Sequence, residues 1–152
     1  QRRDVLLPDG SSVTLIDESY NANPLSMAAA VAVLGRANLS GEGRRIAVLG
    51  DMLELGGEAA QFHRDLAPVL ERHGIDRVYL SGPQMRHLAE ALPASMLGAH
   101  AEDSAALAPR LAGELRAGDV VLVKGSFGSR MVRVIEAIDA LAAPLPRAAN
   151  GG

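Results

Sequence analysis

Apolar residues recur along the chain at two spacings, and the changes between them predict the elements. Val5-Leu6-Leu7, the turn residues Pro8-Asp9-Gly10 and the alternating run Ser12–Ile16 predict a β-hairpin, with Arg2, Arg3 and Asp4 as a linker leading into it. Ser26–Ala37 is apolar on most sides, which predicts a helix buried against a sheet. Asn38–Arg44 then reads as a loop and Arg45–Leu49 as a short buried strand ending at Gly50-Asp51. From Gly57 to Gly74, Phe62, Leu66, Val69 and Leu70 fall on one helical face, and Pro68 predicts a break inside that helix. Asp76–Leu80 reads as a strand, Gln84–Leu92 as a helix and Ser95–Ala99 as a weaker strand. Asp103–Leu115 follows as a helix whose first turns Pro109 makes irregular. Val120–Val123 is the strongest buried strand, Lys124–Ser129 a polar glycine loop, and Arg130–Leu141 an amphipathic helix with Val134, Ile135 and Ile138 inward.

Strands alternate with helices throughout. The expected fold class is α/β, a Rossmann-like, mostly parallel sheet with right-handed crossovers and helices on both faces, preceded by a β-hairpin. One domain over residues 1–143 accounts for the pattern, and the Pro/Ala/Asn/Gly stretch at 144–152 reads as a disordered tail.

Composition narrows the function classes. The 152 residues are 48% hydrophobic but only 3% aromatic, so the core is built from Ala, Val, Leu, Ile and Met. A net charge of −3 with no basic block gives nucleic-acid binding no support. No apolar run approaches the ~18 residues of a membrane span. The absence of cysteine excludes disulfides, zinc–cysteine sites and thiol catalysis, and is compatible with a cytoplasmic location. A start at Gln1 without a signal-peptide pattern suggests a segment excised from a longer protein.

Candidate chemistry lies in three loops that follow predicted strands: Asp17–Asn23, Gly50–Gly57 and Lys124–Ser129. In a parallel sheet all three lie on one edge, where open α/β folds bind ligands. The first, D-E-S-Y-N-A-N-P, offers carboxylates and amides suited to ribose hydroxyls, an ammonium or a metal-bound water. Asn23-Pro24 is also an ordinary helix entrance, with Asn as the cap and Pro as the first helical residue. The second, G-D-M-L-E-L-G, carries Asp51 and Glu54 three residues apart; if it starts a helix, both acids share one face and favour its N-terminus. His63 downstream reads more readily as a packed or surface histidine than as a base. The third, K-G-S-F-G-S-R, has a lysine, small residues and a helix start, all suited to an anion. It is not a phosphate-binding loop of the G-x-x-x-x-G-K-[ST] type, a pattern that occurs nowhere in the chain.

Taken together, D-E-S-Y-N-A-N-P with Ser26-Met27, G-D-M-L-E-L-G with His63, and V-K-G-S with Met131 resemble the C-terminal domain of Mur ligases, most closely the branch that adds a dipeptide. The resemblance implies a part of an ATP-dependent amide ligase that joins D-alanyl-D-alanine to UDP-N-acetylmuramoyl-tripeptide in cell-wall precursor synthesis. It implies nucleotide contacts from Asp17, Glu18, Tyr20, Asn21 and Asn23. It implies substrate contacts from Asp51, His63, Lys124, Ser126 and Arg130. Many relatives carry two aspartates where Asp17-Glu18 stands, so either acid could be the ribose ligand. Relatives often have a basic residue where Phe127 stands, which removes an anion contact at that position. ATP and Mg²⁺ are the implied cofactors, with the phosphate cradle and metal ligands in N-terminal and central domains outside these 152 residues. No catalytic residue is expected here. The domain would close over ATP and position the dipeptide, inactive alone, and its cleft side would expose apolar surface. Two other readings are a different Mur-type amino-acid ligase and a free-standing nucleotide-binding α/β module.

Overall fold

In the computed structural model, which describes residues 1–142, the chain enters through an antiparallel hairpin of β1 (Arg2–Leu6) and β2 (Ser12–Glu18). The expected tail at 144–152 lies outside the described residues. Arg2, Arg3 and Asp4 are not a linker: they pair with Ile16, Leu15 and Thr14 and form the outer edge of the sheet. Arg3 is fixed there by a bidentate pair with Asp139 at 2.7 and 2.8 Å, and Asp4 accepts from the Thr14 hydroxyl. Charges on an exposed edge discourage pairing with another chain.

After β2 the chain turns into α1 (Pro24–Gly35) through the expected cap. The Asn23 side chain accepts from the Ser26 N–H at 2.8 Å, Ser26 answers at the Asn23 N–H, and Pro24 takes the first helical position. Met27, Ala30, Val31 and Leu34 recur at helical spacing and are buried. Then follow β3 (Arg45–Gly50), a short 3₁₀ turn at Gly56–Glu58, α2 (Ala59–Arg64), α3 (Leu66–Arg72) and β4 (Arg77–Ser81). The predicted break comes at Asp65, three residues before Pro68. Pro68 falls in the first turn of α3, where a missing N–H costs no hydrogen bond. The chain closes with α4 (Met85–Ala91), β5 (Leu97–Ala101), α5 (Ser104–Glu114), β6 (Val120–Lys124) and α6 (Val132–Asp139). Contrary to expectation α5 is regular from its start. Asp103 caps it at the Ala106 N–H, and the burial of Leu107, Ala108 and Leu111 holds it through Pro109.

Strand order is β1-β2-β6-β3-β4-β5, and every pairing but the first is parallel. Alternation along the strands divides the core in two. Ile16, Ala47, Leu49 and Leu122 face α1, α3 and α4, whereas Leu15, Ile46, Val121 and Val123 face α5 and α6. Among the described residues no helix is long and apolar enough to cross a membrane.

Tyr79 is the largest fully buried side chain, and its hydroxyl donates to Glu114 at 2.6 Å. The ring lies flat against Gly98 on β5, where an added Cβ would sit 2.5 Å from the ring Cζ. Gly98→Ala is therefore expected to destabilise the fold by about 1–3 kcal/mol through overpacking. Urea denaturation checks this, and an unchanged midpoint would show that the strand yields at no cost.

Candidate functional site

The order β2-β6-β3 sets the ends of three parallel strands side by side, and with them the three polar loops. Lys124, the last residue of β6, is buried, and its Nζ donates to Glu18 Oε1 and to the Asn21 carbonyl, each at 3.0 Å. The third loop thus fixes the first. The strand carries on one pair further than the sequence suggests, so Asp17 and Glu18 close β2 rather than open the loop. The pleat sends them to opposite faces, Asp17 with Leu15 and Glu18 with Ile16. Asp17 accepts from the Ser19 N–H at 3.1 Å. Tyr20 and Asn21 are exposed beyond them, while the Asn23 side-chain oxygen is engaged in capping α1.

Ser126 ties all three loops together. Its hydroxyl accepts from the Leu53 N–H at 3.0 Å and donates to the Ala22 carbonyl at 3.3 Å, and its own N–H donates to the Asp51 carbonyl at 3.2 Å. Hydroxyls suit such a junction because one oxygen donates and accepts at once.

Asp51 and Glu54 do not share a helix face. The segment stays a loop until Gly56, with Glu54 exposed in a left-handed conformation at φ 61°. Asp51 instead turns to the start of α4, where its carboxylate accepts from the Gln84 and Met85 N–H groups at 3.1 and 2.9 Å. Gly82 makes this approach possible: its φ is 110°, and a Cβ there would run into the Asp51 carboxylate. Burial pushes the Asp51 carboxyl above its ordinary value, against the opposing pull of those two N–H groups and of His63 and His100. The folded chain therefore holds this proton to higher pH than the unfolded chain does. Its contribution to stability is full in acid and is lost as pH rises through the folded value. Carboxyl ¹³C shifts followed against pH are expected to show Asp51 titrating above the exposed aspartates. Asp51→Asn is expected to remove that part of the acid dependence.

His63 is fully buried with both ring nitrogens engaged. Nε2 accepts from the Met52 N–H at 3.0 Å, and Nδ1–H donates to the Ala59 carbonyl at 2.7 Å. It fixes the second loop from beneath, and its burial leaves no ring atom open on the surface of this chain. The residues that do face outward include Arg130, which has a left-handed backbone at φ 54°, and Arg133, one turn further on.

These arginines stand between two cavities. One, of about 650 Å³, is lined by Ser19, Tyr20, Phe127, Arg130, Val132 and Glu136. The other, of about 290 Å³, lies over the ends of β3 and β4 and the start of α5 and includes Asp51, Gly82, Glu102, Ser104, Arg130 and Arg133. Tyr20 at 66% and Phe127 at 81% exposure, with Leu25, Leu53 and Val132, form the apolar surface expected on this edge. Arg133 and Ser104 are absent from the sequence reading. Arg133 was legible as the polar position three residues beyond Arg130, opposite Val134, Ile135 and Ile138. Nothing in the sequence singles out Ser104.

A family model described as Mur ligase, glutamate ligase domain, matches residues 2–127. The UDP-N-acetylmuramoyl-tripeptide–D-alanyl-D-alanine ligase of Escherichia coli is 40% identical over 126 residues, 82% of this chain and 26% of that protein. The Bacillus subtilis ligase of the same name is 31% identical over 143 residues, 92% of this chain and 30% of that protein. The chain thus spans less than a third of the length of these relatives. Among solved structures, MurF ligase from Thermotoga maritima in complex with ADP superposes with a TM-score of 0.70 at 30% identity, covering 85% of this chain and 28% of that one. A MurF crystal structure from Acinetobacter baumannii gives 0.74 at 30% identity, covering 84% and 28%.

Proposed function

The chain belongs to the family of Mur ligase glutamate-ligase domains, and from that premise we propose that it is the C-terminal domain of an ATP-dependent ligase joining D-alanyl-D-alanine to UDP-N-acetylmuramoyl-tripeptide. The observation that carries this reading is the convergence of the three loops at the ends of β2, β6 and β3, tied by Lys124 and Ser126. One edge then offers a nucleotide side, with Asp17, Glu18, Tyr20 and Asn21, and an acceptor side, with Asp51 and Arg130. Asn23, Lys124, Ser126 and His63 shape that edge more than they touch its ligands.

In the proposed reaction the γ-phosphoryl group of ATP passes to the tripeptide carboxylate, giving an acyl phosphate and ADP. The dipeptide amine attacks that carbonyl, phosphate leaves, and the amine proton is released. Such chemistry depends chiefly on orientation and on fixed charges around the transferring group. Among the described residues no three His, Cys, Asp or Glu side chains gather as a metal site. As the family resemblance implies, Mg²⁺ and the phosphate cradle are proposed to lie in the parts of the ligase outside this chain. When bound, the metal would neutralise developing charge on the phosphates. A reaction that runs on ATP and a nucleotide-linked precursor belongs in the cytoplasm.

Calorimetry of this chain with ATP–Mg²⁺ and then D-alanyl-D-alanine is expected to give absent or millimolar binding. The full-length ligase, supplied with UDP-N-acetylmuramoyl-tripeptide as well as ATP–Mg²⁺ and D-alanyl-D-alanine, is expected to form the amide. Micromolar binding by this chain alone would favour an autonomous nucleotide-binding module, and a full-length protein that consumes no ATP with the dipeptide would sink the ligase reading.

A further inference from the structure

Gly50 closes β3 and Gly125 follows β6, and the pairing of Leu49 with Lys124 brings the two glycines side by side. Neither needs the backbone freedom of glycine, for neither is among the glycines of positive φ. What both need is space. A Cβ on Gly50 would lie 2.7 Å from Met131 Sδ and from Ser129 Oγ. One on Gly125 would lie 2.5 Å from Ser129 Oγ and 2.7 Å from Met131 Cγ. The two glycines thus form a bare floor on which the side chains of Ser129 and Met131 rest. Met131 is fully buried there, and the Ser129 hydroxyl donates to the Ser126 carbonyl at 2.6 Å. An unbranched thioether suits such a floor, because its flexible chain can follow it closely.

Between these two anchored residues stands Arg130. Its backbone is left-handed at φ 54°, a conformation that among the described non-glycine residues only Glu54 shares. A residue with a Cβ adopts it at a cost, so the surrounding structure must impose it, and such residues gather at functional sites. Here the imposing structure is Ser129 on one side and Met131 on the other, both held down on the glycine floor. The Val134 and Ile135 N–H groups donate to the Met131 carbonyl at 2.9 and 3.3 Å, so Met131 also sets the first turn of α6. Arg130 itself is exposed and lines both cavities, so its displacement is felt on either side of the edge.

We propose that Met131 is a positioning residue for amide formation, its side chain seated with that of Ser129 on Gly50 and Gly125 so that Arg130 is held in place at the ligand-binding edge. The proposal rests on the ligase reading above and adds the device that aims its arginine. Met131 touches no ligand, being fully buried. It acts through Arg130, and that dependence separates it from a residue that only stabilises the fold.

The test is a double-mutant cycle in the full-length ligase, with rates taken per folded molecule. Met131→Ala is expected to lower kcat/KM on the order of tenfold to a hundredfold, as misplacement of a positioned group does. Met131→Leu, close in volume, is expected to stay within about threefold of wild type. Gly125→Ala, which pushes up the floor and leaves Met131 intact, is expected to reproduce the loss. In an Arg130→Ala background Met131→Ala is expected to cost less than about twofold, because no guanidinium is left to misplace. Ile138→Ala, which opens a cavity at the far end of the same helix, is expected to leave kcat/KM within about twofold. Equal losses from Met131→Ala with and without Arg130, an Arg130→Ala enzyme as active as wild type, or an Ile138→Ala loss as large as that of Met131→Ala would overturn the assignment while leaving the ligase reading intact. A wild type that forms no amide would overturn both.

Discussion

Asp119→Ala is expected to lower the free energy of unfolding by about 3–5 kcal/mol, the cost of breaking a buried ion pair by removing one partner. Asp119 is fully buried at the entry to β6, at the opposite end of the strand from the site. Its carboxylate accepts from the Arg44 N–H, Nε–H and Nη2–H at 3.1, 3.1 and 2.8 Å and from the Arg116 N–H at 2.8 Å. One side chain thus joins the start of β3, the end of the α5 connection and the start of β6. Alanine would strand the guanidinium and two backbone N–H groups together. Urea denaturation should show a lower midpoint with an unchanged slope. Since both measurements concern the far end of the sheet, ligand affinity per folded molecule should not move. A loss below about 1 kcal/mol would show that water satisfies those donors and that the pair is not structural.

The second large effect is expected on activity. Lys124→Met preserves the length and apolar stem of a buried side chain but removes both hydrogen bonds that bind the third loop to the first. Glu18 and the Asn21 backbone are then free to drift. In the full-length ligase a misplacement of even ~1 Å is expected to lower kcat/KM about a hundredfold. Because Glu18 is partly exposed and can turn to water, stability should fall much less than for Asp119→Ala. Measuring kcat/KM beside the unfolding midpoint separates the two. Activity within a few-fold of wild type would show that Ser126 alone holds the loops in register.

The element order was legible in the residues because each strand of the parallel sheet is a short apolar run bounded by turn residues. The strength of Val120–Val123 as a buried strand already pointed to a central position. The convergence of three loops followed from alternation alone. Harder to read was whatever depended on a partner far along the chain. Arg2–Asp4 look like a polar linker until they pair with Thr14–Ile16. Asp51 looks like a helix-start residue of its own segment, yet it caps a helix that starts 34 residues on. His63 gives no sign in sequence of the backbone groups that engage both its nitrogens. Pro68 rightly signalled a break, which comes three residues earlier because the proline sits in the first turn of α3, whereas Pro109 lies in a helix held regular by its buried face.

The place of β6 in the sheet has a consequence for the making of the chain. β6 is the last strand to leave the ribosome, yet it fills the slot between β2 and β3. Until residue 120 has emerged, the nascent protein can form a hairpin on one side and a three-stranded half-sheet on the other, each with an open edge facing the gap. Pairings of such wide sequence separation form slowly, and unpaired edges invite association between neighbouring chains. Synthesis stalled before β6, or a truncation that removes it, should therefore yield aggregation-prone halves rather than a smaller working domain, and the demand for chaperone protection falls in the interval before β6 emerges.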